Sequence, residues 1–424
     1  MGISRAQKRK RDRHMLKFIT QYKGLRRENY ILFIGRIVTN LGSMIWPVLT
    51  LILTQKLGMT ASEASLYMIV IGAIQLPLGL LGGRLADKYN KKHIIVFFDF
   101  ISIIFYCICA FVPLSLTSII LLTVGSLFQC MEGPAYETLI ADITTTENRE
   151  KAYSLSYLGA NIGLVASPSI AGFLFKDYLW LSFLISGCAI GVSTFLIFLF
   201  VKDINPVEET TEASSYQTAM DKNLSTWSVL KQNGIILLYI IEMALFWCAY
   251  GQWSFLLPID IAATHGADLG ALIYGFMNSE NCIIVVLFTP IITQLFTKLF
   301  QTKKIVLGIT MVLAGYIVFL LGIGLIPIYF VAIGLFTFGE IFASIACGPY
   351  VSERIPASHR GRINGILNII QQVLSGIAMF AIGNLHTYCG STAAWSMVLI
   401  MLSGAIVMSI ILISLDKRRY SKLY

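Results

Sequence analysis

Runs of about twenty apolar residues recur along the whole chain, and that is the length an α-helix needs to cross the ~30 Å hydrocarbon core of a bilayer. They cover Tyr30–Leu53, Ala64–Leu85, Ile94–Val112, Ser118–Ile140, Tyr153–Phe175, Leu179–Val201, Gly234–Leu257, Ala271–Leu295, Ile305–Leu325, Ile328–Tyr350, Gly365–Leu385 and Ala394–Leu415, twelve in all. Of the residues, 56% are apolar and only 13% charged, against roughly 25% charged in soluble domains. Each backbone N–H and C=O inside lipid needs a partner within its own segment or barrel, so spans of this length are helices and the fold class is all-α.

Lys and Arg tell which loops stay on the cytoplasmic side. Ten stand in the amino-terminal tail, from Arg5 to Arg27, and of the 32 in the chain only Arg36, Lys56 and Lys176 fall outside the tails and even-numbered loops. One helix more or fewer would reverse this pattern, so twelve spans and two cytoplasmic termini support each other. The net charge of +9 therefore reads as topology. A nucleic-acid partner would need these charges on one folded surface, and they lie in short clusters between apolar runs. The charged first residues lack the apolar stretch and cleavage site of a signal peptide.

The polar stretch 202–233 divides the chain. The expected organisation is a basic tail 1–29, a six-helix bundle 30–201, a cytoplasmic linker 202–233, a second bundle 234–415 and a basic tail 416–424. Gly133-Pro134 closing the fourth span has a counterpart in Gly348-Pro349 closing the tenth, and Lys91-Lys92 in Lys303-Lys304. A parallel repeat of this kind puts a substrate site near the midplane between the halves.

Arg36, Asp99, Glu132, Glu137, Glu242, Glu280 and Glu340 interrupt the apolar runs. Each would cost about 2.5–3.5 kcal/mol at the bilayer centre, so they should face a cavity or one another. Glu132, Glu340 and Glu280, near the middle of spans 4, 10 and 8, are the proton-coupling candidates, because a coupling group must be reachable from both sides. The plainer reading of each is a hydrogen-bonded carboxyl that fixes helix packing. Glu137, five residues past Glu132, is expected to pair with Arg149. Tyr239, Glu242, Phe246, Tyr250 and Trp253 recur at helical spacing on the seventh span. An acid among aromatics suits a lipophilic cation, and an aromatic packing face is the alternative. Polar stripes, Arg36, Asn40 and Ser43 on the first span and Asn364, Asn368 and Gln371 on the eleventh, mark a wet pathway in both halves.

Gly83-Arg84-Leu85-Ala86-Asp87-Lys88-Tyr89-Asn90-Lys91-Lys92 resembles the loop signature between spans two and three of the major facilitator superfamily. Asn90 replaces the usual Gly and tolerates the same turn. The resemblance implies that Gly83, Asp87, Lys88 and Lys91 gate the cytoplasmic side. Residues 163–172 of the fifth span, with Gly163, Pro168 and Gly172, are similar to the signature of that superfamily's antiporter branches, and Leu41-Gly42 with Pro47-Val48 looks like its drug-efflux pattern. Gln129 keeps one residue of the fourth-span element of drug:proton antiporters, whose Arg and Gly are missing here. In the superfamily fold spans 3, 6, 9 and 12 lie outside, which makes Asp99 structural.

The resemblance implies two pseudo-symmetric six-helix bundles of the major facilitator fold. It also implies a secondary active transporter that exports amphiphilic or cationic small molecules against protons by alternating access. The alternative is proton-coupled or facilitated transport of a metabolite such as a peptide, amino acid or sugar, with Arg36 on its anionic group. Expected partners are a small-molecule substrate, protons and membrane lipids, with no nucleic acid and with the monomer as the unit. The eight cysteines, mostly inside spans and without metal spacing, read as packing residues. His14, His93, His265, His359 and His386 lie in tails, loops or span ends. No nucleophile–base pair, metal set or phosphate-binding element appears, so neither an enzyme nor a cofactor is expected. The localisation read from the chain is a bacterial plasma membrane, multi-pass.

Overall fold

The structure, a computed structural model, describes residues 22–144, 146–201, 234–354 and 357–419. The start of the basic tail, the linker 202–233 and residues 420–424 lie outside the described residues.

The first span is α1 (Arg27–Leu41), α2 (Ile45–Leu51) and a π-helical turn (Ile52–Lys56). It is followed by α3 (Ala61–Lys88), α4 (Lys91–Phe111), α5 (Leu116–Asp142), α6 (Thr146–Leu174) and α7 (Leu179–Phe200). The seventh span is α8 (Gly234–Tyr250) and α9 (Gln252–His265), followed by α10 (Ala267–Leu295), α11 (Gln301–Leu321), α12 (Ile326–Arg354), α13 (Ala357–Cys389) and α14 (Ser391–Arg419). Among the described residues eleven helical runs are long and apolar enough to cross a membrane, and the remaining expected span, Gly365–Leu385, lies within α13. Several helices outrun their apolar stretches. Gly133-Pro134 and Gly348-Pro349 do not close spans: α5 and α12 continue through them to Asp142 and Arg354.

The first span of each half breaks at a glycine, and proline supplies part of the reason. Pro47 in α2 has no N–H to return to the Ser43 carbonyl one turn back, and the helix is interrupted at Gly42–Met44. Gly42 also lies flat on α7, where a Cβ would collide with Ala189 and where Ser186 Oγ donates to the Gly42 carbonyl at 2.5 Å. In the seventh span Gly251 separates α8 from α9. Pro258 lies inside α9 and leaves the Ser254 carbonyl without its helical donor. Thr50 Oγ1 of α2 donates to that carbonyl at 2.9 Å, so a freed backbone group is satisfied by a side chain.

Two compact units emerge among the described residues: 22–43, 75–144, 146–167 and 180–201 belong to unit 1, and 44–74, 168–179, 234–354 and 357–419 to unit 2. The boundary runs through spans 1, 2 and 5, beside Ser43, Ile74 and Pro168. Unit 1 packs around Leu32, Ile95, Met131, Ala135, Ile140 and Ile197. In unit 2, α11 and α12 meet through Gly308 and Gly339, where an added Cβ would stand 2.7 and 2.6 Å from the opposite carbonyl oxygen. Small residues permit that approach, which is how helices associate in lipid. The first turn of α3 and the last turns of α13 are joined by Ser62 with Asn384 at 2.9 Å and Thr387 at 3.0 Å.

Candidate transport site

Unit 1 contains a cavity of about 560 Å³ lined by Arg36, Asn40, Glu137, Tyr153, Ser156, Tyr157 and Ala160. Its centre is an ion pair. Arg36 Nη2 donates to Glu137 Oε1 at 2.7 Å, with 29% and 48% of the two side chains exposed. The guanidinium also lies 4.5 Å from the centroid of Tyr136, whose hydroxyl donates to the Leu32 carbonyl at 2.8 Å and so fixes the ring between α5 and α1. Asn40 stands one turn above Arg36 and donates to its carbonyl at 2.9 Å. Tyr153 of α6 donates to the Glu137 carbonyl at 2.9 Å. The site is thus built from α1, α5 and α6. Glu137 was expected to pair with Arg149, whose side chain lies outside the described residues; among the described residues it pairs with Arg36. Two residues 101 positions apart meet because one turn of α1 faces the C-terminal half of α5.

Glu132 is buried one and a half turns before Glu137 on α5, within electrostatic reach of Arg36, Glu137 and Asp99. Gln129 is half-buried on the same helix. Asp99 is buried between α4 and α7, where Thr194 Oγ1 donates to it at 2.6 Å.

Two of the acids of the second half, Glu340 and Glu242, are bonded to neighbouring side chains. Glu340 of α12 accepts from Asn281 Nδ2 of α10 at 2.9 Å, and the same amide reaches Thr337 Oγ1 at 2.9 Å. Glu280 precedes Asn281 on α10, and its Oε2 is buried with no hydrogen-bond partner among the described residues. Glu242 is fully buried and accepts from Ser409 of α14, while its second oxygen has no partner among the described residues.

The seventh span breaks at Gly251, between Tyr250 and Trp253, and its expected aromatic face lies among ring neighbours, with Phe246 6.1 Å from Tyr250. Tyr239 stacks on Tyr350 with centroids 4.4 Å apart, and Phe246 is fully buried. Tyr250 and Trp253 both stack on Phe336, at 4.9 and 5.2 Å. The reason is composition: in a helix apolar almost all round, an aromatic stripe is packed by whichever neighbours arrive.

Among the gate residues, Lys91 pairs with Asp142 at 3.1 Å, Lys88 lies over the Tyr89 ring at 5.4 Å and Gly83 faces Pro134. Asn90 caps α4, its side chain accepting from the N–H groups of Lys92 and His93. The Asp87 side chain lies outside the described residues, as do those of Asn364 and Asn368, and Gln371 is half-buried. The residues of the antiporter-like stretch are contact points. A Cβ on Gly163 would stand 2.5 Å from the Ile37 carbonyl oxygen of α1, and one on Gly172 2.7 Å from that of Ala271. The Pro168 carbonyl occupies the space a Cβ on Gly275 would need.

Two clusters fall beyond the apolar runs used to mark the spans. Asp260 in α9 accepts from Ser391 Oγ at 2.7 Å and from the Trp395 indole, with His386 Nε2 at 3.5 Å. Arg354 and Asp416 form a buried pair at 2.6 Å with side-chain exposures of 3% and 0%, and the guanidinium lies 3.9 Å over Tyr350. A sequence signal did exist for both. An Asp two residues after a helix-tolerated Pro258, and an Arg–Asp pair at matched span ends, are charges that helical continuation would bury.

Comparison with known proteins agrees with this architecture. A family model described as Major Facilitator Superfamily matches residues 31–380. A "Na(+), Li(+), K(+)/H(+) antiporter" of Planococcus maritimus is 22% identical over 348 residues, covering 75% of this chain and 80% of that protein. "Quinolone resistance protein NorA" of Staphylococcus aureus (strain MRSA252) is 27% identical over 270 residues, 59% of this chain and 67% of that protein. A crystal structure of a POT family transporter in complex with 5-aminolevulinic acid superposes with a TM-score of 0.73 at 16% identity, covering 93% of this chain and 97% of that one, which speaks for the fold alone. The chain belongs to the Major Facilitator Superfamily and is a multi-pass membrane transporter.

Proposed function

We propose that the chain is a secondary active transporter that exports amphiphilic or cationic small molecules in exchange for protons by alternating access. The observation that carries this reading is the unit 1 cavity, in which a half-exposed carboxylate, Glu137, stands beside the phenol rings of Tyr153 and Tyr157. A cationic group entering the cavity meets a carboxylate whose present partner, Arg36, keeps a second attachment on the Tyr136 ring and is released without being stranded. Glu132 and Glu340 are the coupling acids in this reading and Glu280 the third candidate. A proton and a substrate cation that compete for linked carboxylates cannot be carried together, which makes the exchange obligatory. A cation/proton antiporter and a quinolone resistance protein among the relatives support the same reading. The repeats 30–201 and 234–415 are the moving parts, the loop 83–92 the cytoplasmic gate, and the Lys and Arg distribution supports cytoplasmic termini.

One observation favours a second reading, transport of a metabolite with an anionic group. Arg36, Asn40 and Ser156 give the cavity wall a polar lining with a guanidinium in reach. Transport into proteoliposomes under an imposed pH gradient, with a fluorescent lipophilic cation beside a labelled amino acid and dipeptide, decides between them. Gradient-driven movement of the cation is expected, and movement of the metabolites alone would overturn efflux. Glu132→Gln and Glu340→Gln are each expected to abolish uphill movement while substrate binding stays measurable. Full uphill transport in both variants would reject the coupling assignment.

A further inference from the structure

We infer that the basic end of unit 1, where α1, α4 and α7 meet, binds the headgroup of an anionic phospholipid. Two cations converge on the last turn of α7 from opposite neighbours. Arg27 of α1 lies 5.5 Å over the Phe200 ring and Lys92 of α4 lies 5.6 Å over the Phe198 ring. Among the described residues neither forms an ion pair, and Glu28, beside Arg27, is paired with neither of them. By contrast Arg36, Lys56, Lys91 and Arg354 are each matched by an acid. Both rings are exposed, so the cations are held at the surface of the bundle and not within it.

The apolar surface beside them has the character of an acyl-chain track. Phe195 and Phe198 on α7, and Phe97, Phe100 and Ile104 on α4, are exposed, the last three at the i, i+3, i+7 spacing of one helix face. A phosphodiester carries one negative charge and several acceptor oxygens. It offers Arg27 a fork of two acceptors and Lys92 a point charge, while its chains follow the phenyl groups into the bilayer. A soluble anion would take up the charges and leave that track uncovered. The site is separate from the transport cavity and does not depend on what the cavity carries.

The test uses the full-length protein in detergent, titrated with short-chain phosphatidylglycerol, short-chain phosphatidylcholine or inorganic phosphate and read by native mass spectrometry. A basic residue near an anionic headgroup is worth about fivefold in affinity. Phosphatidylglycerol is expected to bind Arg27→Gln and Lys92→Gln each about fivefold more weakly and the double variant about thirtyfold more weakly. Lys303→Gln/Arg418→Gln, which removes two cations of unit 2, is expected to bind like the unsubstituted protein. Equal affinity of the double variant and the unsubstituted protein would overturn the inference. So would phosphatidylcholine binding as tightly as phosphatidylglycerol, or inorganic phosphate displacing it at equal concentration. The single variants keep the test decisive if the double variant does not fold.

Discussion

Arg36 and Glu137 of unit 1 leave 29% and 48% of their side chains exposed beside a cavity, whereas Arg354 and Asp416 of unit 2 leave 3% and 0%. Both are Arg–carboxylate pairs between spans, with N–O distances of 2.7 and 2.6 Å. Their surroundings give them opposite roles. Water at the unit 1 pair lowers the penalty of separating the charges, so a ligand can exchange with either partner. Separation of the unit 2 pair would strand a charge in the protein interior, so it acts as a fixed strut. Other buried acids are bonded in both units, Glu242, Glu340 and Asp260 of unit 2 to Ser409, Asn281 and Trp395 and Asp99 of unit 1 to Thr194, while Glu137 lines the cavity.

Removal of one member of the buried pair should have the largest effect. Arg354→Ala is expected to cost about 3–5 kcal/mol by leaving Asp416 charged and unpaired. Thermal unfolding of the purified protein measures it, and Arg354→Ala/Asp416→Asn should recover part of the loss. If Arg354→Ala unfolds like the unsubstituted protein, the contrast between the units fails. Close glycine contacts come next. Gly163→Val in unit 1 and Gly275→Val in unit 2 should each lose about 1–3 kcal/mol by driving a side chain into the facing backbone. A much smaller loss at Gly163 would mark the cavity side as the more yielding of the two.

Asp260→Ala should cost about 1–3 kcal/mol by leaving the buried Trp395 indole N–H without an acceptor. Asp260→Asn keeps an acceptor and should cost less, and equal losses would show that the charge matters more than the hydrogen bond. Arg36→Ala should change stability least, by under about 1 kcal/mol, because its pair is half in water. Yet it should alter substrate affinity in a transport assay. A large stability loss with unchanged transport would turn the unit 1 pair into a second strut.

The spans were legible because hydrophobic length is a one-dimensional property, and the superfamily because its loop and fifth-span residues are contiguous. Helix ends were not. Asp260, Arg354 and Asp416 lie beyond apolar stretches that stop at Leu257, Tyr350 and Leu415, so they read as loop or tail charges although the helices carry them into protein contacts. The seventh-span stripe was legible as a face but not in its surroundings: periodicity says which residues share a face, and not what that face meets. The breaks at Gly42 and Gly251 were written as Gly and Pro, but which freed carbonyls survive depended on donors far along the chain, Ser186 for Gly42 and Thr50 for Ser254.

By itself the sequence determined that this chain lives in a bilayer as about a dozen helices, because lipid admits no unpaired backbone and a helix of twenty residues is what spans it. It determined too which residues would be costly there. Only the tertiary structure decided which of those costs were met by a partner and which were left facing a cavity. Pairing joins residues about a hundred positions apart, Arg36 to Glu137 among them. In a membrane the energy of a charge depends less on its own identity than on whether water, a partner or lipid is beside it.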